Sequence, residues 1–356
     1  MTVQPNIQGQ AQANPVSEIW YTRCPVPTTS GIAQHFRWIH QEFERHGIKV
    51  ESIRAAADQA VRNSHYSHTQ PASFREGGNV PPIWTRANGQ DTVVVGITWV
   101  DEEQLILVRP DSDIKTLADL KGRRFGVPKH DTKIVDIARG QDLRGLLTAL
   151  DLAGLTPADV EFVNVAGGEF DLREQGERRE GRRHGVVEAL LAGTVDVIYA
   201  KGAVSAALVV KHGLHPIIDI NANPDPFVRV NAGTPRPITV NRDLAVERPD
   251  IVARYLAILL KTAAWAKENP TAVVKAIAAE TSSTEEIVRK GYGPELHLHF
   301  DVKLTEQYIA ALRKQKDYLL EWGFLKEDFD FDGWILPGPL ELARALAADD
   351  AIKITL

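Results

Sequence analysis

The chain has 356 residues, 44% hydrophobic, 25% charged and 7% aromatic, with a formal net charge of -6. At roughly 100–200 residues per domain that length predicts two domains, and the charge argues against a protein built to hold nucleic acid phosphates. The one cysteine, Cys24, excludes an intrachain disulfide and a cysteine-rich zinc site.

Residues 1–17 have neither the basic start nor the apolar core of a signal peptide and read as a disordered arm. No run approaches the ~18 consecutive apolar residues of a membrane span, so the expectation is a cytoplasmic protein without a membrane partner. Short β-rich runs then alternate with helical ones, the α/β signature. Residues 19–22 read as a strand broken at Cys24-Pro25-Val26-Pro27. The spacing of Ile32, Phe36, Ile39 and Phe43 predicts a helix over 31–46 that stops at Gly47, followed by a strand over 48–53. The apolar runs 92–97 and 104–108 suit buried strands.

From Pro110 the units are more regular. Helices are expected over 113–120, 134–153, 185–192 and 203–212, and strands over 123–127, 160–165, 195–199 and 216–220. Thr156-Pro157 has the form of a cap followed by Pro at the first helical position. A Pro/Asn/Gly-rich stretch over 221–237 leads to a strand at 238–240 and then to helices over 249–269, 270–279, 283–292 and 305–322. Ser283 with Glu286 has capping-box spacing. The architecture this implies is two α/β lobes, one inserted into the other: 18–108 with 221–356, and 109–220 between them. Such hinged pairs place a ligand in the cleft between lobes. The densely charged stretch 169–184 reads first as a solvated outer face and second as a lid whose arginines meet an anion.

Two segments carry chemistry. Cys24, in Tyr21-Thr22-Arg23-Cys24-Pro25-Val26-Pro27, follows a strand where prolines end regular structure. A lone cysteine is usually a buried small hydrophobe. The C-terminal ends of strands in an α/β sheet, however, are where sites are built, and Arg23 or a histidine there would favour a thiolate. The second segment runs from Asn63 to Pro82 and holds His65, His68, Phe74, Arg75, Gly77 and Gly78. Alone it reads as a polar loop, but its chemistry suits an oxyanion. Arginine offers a planar fork of donors, the Gly pair lets backbone N–H groups approach closely, and histidine orients or protonates a neighbour. His65 with His68, and His297 with His299, lack a third ligand, so no metal is expected.

Taken together, Cys-Pro-Val-Pro after a Tyr, then a His ten residues before an Arg that runs into Gly-Gly and Pro-Pro, resembles the aromatic sulfinate desulfinases of biodesulfurisation. The stretch Leu117-Ala118-Asp119-Leu120-Lys121-Gly122-Arg123-Arg124-Phe125-Gly126-Val127 is similar to one common in sulfonate, nitrate and taurine binding proteins. So are Gly193-Thr194-Val195-Asp196-Val197 and the block 241–249. The resemblance implies a two-lobed α/β fold of the type II periplasmic-binding-protein kind with a hinged interdomain cleft. It implies cofactor-independent hydrolysis of 2'-hydroxybiphenyl-2-sulfinate, or a close analogue, to the desulfinated aromatic and sulfite. Residue by residue, it puts the catalytic cysteine at Cys24, the site histidine at His65, the sulfinate-binding arginine at Arg75, and a sulfinate-holding backbone N–H at Gly78 beside Gly77. The segment between Cys24 and His65 is longer than in that family, and 169–183 does not match it closely.

In such a reaction Cys24 either protonates the ipso carbon or attacks the sulfur as a thiolate, with His65 orienting it or relaying protons. The aromatic body needs an apolar slot; Phe74, Trp20, Trp84 and Trp99 read first as core residues and second as its walls. The competing expectation is a solute-binding protein for a sulfonate or similar organic anion feeding a transporter. The chain is expected to act as a monomer on a small molecule, without cofactor, metal or nucleic acid.

Overall fold

The structure is a computed structural model that describes residues 16–167, 181–348 and 352–354. Most of the arm expected over 1–17, and most of the charged stretch 169–184, lie outside the described residues. The first lobe opens with β1 (Glu18–Arg23), α1 (Thr29–His35), α2 (Trp38–Glu44), β2 (Lys49–Ser52), α3 (Gln59–Ser67), β3 (Ser73–Glu76), α4 (Val80–Ala87) and β4 (Thr92–Thr98). The second holds β5 (Gln104–Val108), β6 (Arg124–Lys129), α5 (Ile137–Ala153), β7 (Glu161–Ala166), α6 (Gly181–Leu191), β8 (Ile198–Lys201), α7 (Gly202–His212) and β9 (His215–Asp219). The chain then returns through β10 (Arg236–Asn241), α8 (Arg242–Glu247), α9 (Pro249–Glu268), α10 (Pro270–Thr281), α11 (Glu285–Tyr292), α12 (Glu306–Glu321) and α13 (Gly338–Ala348).

The first sheet has the order β2-β1-β3-β10-β4, with β1 parallel to β2 and β3, and β10 antiparallel to β3 and β4. All seven residues of β4 and all four of β3 are buried, as central strands covered on both faces must be. The strand β5 pairs with β8 and β9, and β6 pairs with β7. Only two connections join the lobes, 99–103 and 220–235. They are tied to one another where Thr234 Oγ1 donates to Val100 O at 2.8 Å.

Several elements depart from the sequence expectation for identifiable reasons. The strand 104–108 belongs with the second lobe, because its hydrogen bonds run to β8 and β9. The helix expected over 31–46 is two helices, broken at Arg37 in the left-handed region (φ 61). That break stacks Phe36 on Trp38 and sets both against Trp265 of α9, a packing gain that periodicity alone does not register. The cap of α11 is Thr284, whose side chain accepts from Ile287 N, rather than Ser283. Residues 113–120 form only a 3-10 turn at Leu117–Leu120. The segment 63–82 is not a loop: it is the end of α3, the strand β3 between β1 and β10, and the start of α4.

His68 illustrates how tightly that segment is held. It ends α3 in the left-handed conformation (φ 52), is 2% exposed, and its Nε2 lies 3.1 Å from Ser73 O. Burial pushes its pKa down to about 4, against the opposing pull of the Ser73 carbonyl. In the unfolded chain His68 takes up a proton near pH 6.5, whereas the folded chain resists until about pH 4. Between those values the unfolded state binds more protons, so stability falls as pH falls, by roughly 3 kcal/mol from this one group. Urea unfolding at pH 7.5 and pH 4.5 checks this. In His68→Asn, which accepts the left-handed backbone, the pH dependence over that window is expected to shrink by about that amount. Identical slopes in the two proteins would rule His68 out as the source.

Candidate functional site

The parallel register of β1 on β3 pairs Thr22 with Arg75 and Arg23 with Glu76. One further ladder bond, Cys24 N to Glu76 O at 3.1 Å, sets Cys24 beside Gly77. A Cβ at Gly77, whose φ is 151, would stand 2.5 Å from Cys24 Sγ, so only glycine leaves room for the sulfur. Pro25 and Pro27 then end the strand, and Val26 N folds back to Cys24 O at 2.8 Å.

Arg75 lies directly behind the thiol and is 1% exposed. Its Nη2 lies 3.4 Å from Cys24 Sγ, its Nη1 donates to Gly78 O at 3.0 Å, and its Nε donates to His65 O at 3.2 Å. One guanidinium thus joins Cys24 to both His65 and Gly78. Burial pushes the Arg75 pKa down, while Cys24 and Tyr66 oppose that shift. Among the described residues no carboxylate forms an ion pair with Arg75, so it is a buried cation facing a sulfur and two carbonyls. His65 is 4% exposed, and its Nδ1 shares a 2.6 Å hydrogen bond with Thr22 Oγ1, which fixes the ring's orientation.

A cavity of about 630 Å³ opens beside this group, within the size range of small-molecule sites. Cys24, His65, Tyr66 and Gly78 line it from the first lobe, and Thr132, Val135, Ile137 and Val187 from the second. Arg75 and Gly77 do not line it; they stand one layer behind Cys24 and Gly78. Gly78 in turn packs under the second connection, where a Cβ would stand 2.8 Å from Ala232 O.

None of the four aromatics considered as slot walls lines the cavity. Phe74 stacks on Tyr255 in the core at 4.0 Å, Trp99 packs on Tyr308, Trp84 packs against the apolar cluster that includes Ile83, Phe125 and Trp334, and Trp20 donates to Glu18. The apolar lining comes instead from Pro25, Val26, Tyr66, Val204, Leu208 and Tyr292. His297 and His299 are far along the chain from these residues and are not part of the lining. Among the described residues no cluster of His, Cys, Asp or Glu could hold a metal ion. No helix among them is long and apolar enough to cross a membrane.

Several residues that sequence reasoning missed build the surroundings. Glu76, 1% exposed, accepts from Thr29 N, Ser30 N and Thr98 Oγ1, which anchors the chain on the far side of the Cys24 turn. Arg236, fully buried, donates to Pro27 O at 2.7 Å and so holds the same turn from beneath. At the connections between lobes, Glu102 accepts from Lys201 Nζ at 2.6 Å and lies 3.6 Å from Arg236 Nη2. The Glu102 carboxylate offsets one of the two positive charges buried around it. The sequence marks none of these as buried; only Thr22, two residues before Cys24 near the end of β1, could have been guessed.

The comparisons with known proteins agree with this picture. The family described as NMT1/THI5 like matches residues 43–175. The chain is 26% identical to the 2'-hydroxybiphenyl-2-sulfinate desulfinase of Rhodococcus erythropolis, across 91% of this chain and 95% of that one. Among solved structures, a cysteine-to-serine mutant of DszB in complex with biphenyl-2-sulfinic acid is similar with a TM-score of 0.72 and 25% identity, covering 92% of this chain and 99% of that one. The periplasmic aliphatic sulphonate binding protein SsuA of Escherichia coli has a TM-score of 0.65 at 17% identity, covering 90% of this chain and 92% of that one. The fold is therefore the two-lobed, periplasmic-binding-protein-like one, and the resemblance read from two short segments extends along nearly the whole chain.

Proposed function

We propose that this chain is a cofactor-independent desulfinase that hydrolyses an aromatic sulfinate, 2'-hydroxybiphenyl-2-sulfinate or a close analogue, with Cys24 as the reacting group. The observation that carries the reading is the buried Arg75 cation, without a carboxylate partner among the described residues and 3.4 Å from the sulfur of a cavity-lining cysteine. An anion seated over Cys24 supplies the missing counter-charge. The similarity to the Rhodococcus desulfinase supports the substrate class.

In the overall reaction an aryl sulfinate and water give the arene and hydrogen sulfite. The carbon–sulfur bond breaks with its electron pair left on carbon, the ipso carbon takes a proton, and sulfur gains one oxygen from water. Nothing is oxidised or reduced, so the step needs no redox partner. On one route the Cys24 thiol gives its proton to the ipso carbon, sulfur dioxide departs, and water converts it to hydrogen sulfite while the thiolate recovers a proton. On the other, the Cys24 thiolate attacks sulfur, the aryl group leaves with a proton delivered through His65, and water cleaves the resulting sulfur–sulfur bond. On either route the Gly78 N–H holds a sulfinate oxygen, while Arg75, one layer behind, stabilises negative charge through the Cys24 sulfur it faces.

A second reading, a binding protein for an organic sulfonate, is favoured by the fold shared with SsuA. One experiment separates the two. Purified protein incubated with 2'-hydroxybiphenyl-2-sulfinate is expected to release sulfite and 2-hydroxybiphenyl in equal amounts over many turnovers. Saturable binding with no sulfite above the buffer blank would favour the binding protein and reject the desulfinase.

A further inference from the structure

Neither Arg75 nor Gly78 puts a cation in contact with a ligand in the cavity. Arg75 faces it only through the Cys24 sulfur, and Gly78 offers a neutral N–H. An anion taken out of water is held best by a charged donor that it touches. Of the lysines and arginines among the described residues, only Lys201 and Lys211 line the cavity. Lys211 is exposed in the last turn of α7, roughly 15 Å along the helix from its start. Lys201 is placed differently. It is the last residue of β8, its side chain is only 7% exposed, and it belongs to the second lobe.

Two close packings bring Lys201 to the Gly78 side of the cavity. Ala232 O lies against Gly78, and the next residue, Gly233, lies against Lys201, where a Cβ would run into both Lys201 Nζ and Glu102 Oε1. Gly78 and Lys201 thus flank the Ala232-Gly233 strip of the second connection, and all four residues line the cavity. Lys201 Nζ donates to Glu102 Oε1 at 2.6 Å, which takes one of the three donors of an ammonium. That pair is not closed on itself. Nη2 of the fully buried Arg236 lies 3.6 Å from the same oxygen, so one carboxylate serves two cations.

We propose that Lys201 is a substrate-binding residue whose ammonium donates to one sulfinate oxygen while the Gly78 N–H holds the other, so that a single anion is gripped from both lobes. This rests on the reading of the ligand as an aryl sulfinate and deepens it: the site selects for the negative charge itself, beyond the sulfur–oxygen groups that carry it. Glu102 then has a second effect besides holding Lys201 in place. Its carboxylate competes with the ligand for the same ammonium and moderates the grip.

Calorimetric titration of the full-length Cys24→Ser protein, which cannot consume its ligand, tests this with two probes. One is 2'-hydroxybiphenyl-2-sulfinate; the other is the corresponding methyl sulfone, which keeps two sulfur-bound oxygens but carries no charge. Adding Lys201→Met is expected to weaken the sulfinate about 10–100-fold and the sulfone less than about 3-fold, and Lys201→Arg should keep most of the sulfinate affinity. Adding Glu102→Gln instead removes the competing carboxylate and should tighten the sulfinate by about 3–10-fold, with the sulfone unchanged. That second variant needs no substitution at Lys201, so a poorly folding Lys201→Met does not blunt the test. An ion pair that served only to hold the lobes together would give the opposite pattern, both ligands weakened alike in either variant. Equal weakening of the two ligands, a sulfinate affinity indifferent to Lys201→Met, or looser sulfinate binding in Glu102→Gln overturns the proposal. Sulfite release by the wild-type chain, measured separately, reports on the desulfinase reading whichever way the titration falls.

Discussion

Cys24→Ser is expected to reduce sulfite release by at least about 10⁴-fold while leaving the protein folded and able to bind the sulfinate. A serine hydroxyl is a far weaker acid and, without a strong base beside it, a far weaker nucleophile than a thiol, so both routes through Cys24 fail together. The substitution is close to isosteric at a position already crowded by Gly77, and Arg75 Nη2 keeps an oxygen to face. Sulfinate affinity within about 3-fold of wild type, with turnover at background, is the outcome that ties the chemistry to the sulfur rather than to the pocket. Retention of more than about a tenth of the wild-type rate would remove Cys24 from the reaction altogether. The two roles for the thiol differ in kinetics as well. Attack at sulfur leaves a covalent adduct that slow water addition allows to accumulate, which mass spectrometry of a quenched reaction detects. Proton donation leaves none.

How much of this could be read from the chain itself depends on which forces set each feature. The α/β alternation was legible because strand and helix periods are local properties, and β5 matches its expected span residue for residue. Its partner was not legible: an apolar run of five residues says that a strand is buried but not in which sheet, and β5 joins the second lobe only through its ladder to β8 and β9. The polar segment before Pro81 fails in the same way. Ser73, Arg75 and Glu76 would ordinarily argue against a central strand. They occupy one because each polar group finds a partner inside: Ser73 with Asn241, Arg75 with Gly78 and His65, Glu76 with the start of α1.

The site shows the same division. The resemblance nominates Cys24, His65, Arg75 and Gly78, and β1–β3 pairing explains why segments about 50 residues apart meet. The layering was not legible. Sequence reasoning treats Arg75 as a direct ligand, whereas the strand pleat buries it and puts the sulfur between it and the cavity. The second lobe's contribution was invisible, because Lys201 carries no motif and reaches the cavity only where the end of β8 meets the connections between lobes. The slot's walls were missed for a related reason: large aromatics near a motif are easily nominated, but none of the four lines the cavity, and Tyr66, Tyr292 and residues of α7 and the β1–α1 turn make its apolar lining.

The buried position of Arg75 leads to the other large effect. Arg75→Lys is expected to lower kcat/KM by about 10²–10³-fold, with most of the loss in kcat. An ammonium keeps the charge but cannot reach Cys24 Sγ, Gly78 O and His65 O at once, since a planar fork is needed to span three acceptors. The ground state needs little from Arg75 beyond holding an anion. During reaction the demand changes: negative charge collects on the Cys24 sulfur when it gives up its proton, or on the sulfinate oxygens when a thiolate attacks. The guanidinium lies against the first position and one layer behind the second, so its contribution grows as the barrier is climbed, and such an interaction appears in kcat. A loss confined to KM would mean that Arg75 only captures the sulfinate. The two carbonyls left without their donors cost about 1–3 kcal/mol each in stability, so the rates belong well below the variant's own unfolding transition. Arg75→Gln, which removes the charge as well, should fall further than Arg75→Lys. If the two variants were equally impaired, the planar fork alone would account for the effect and the cation would be dispensable.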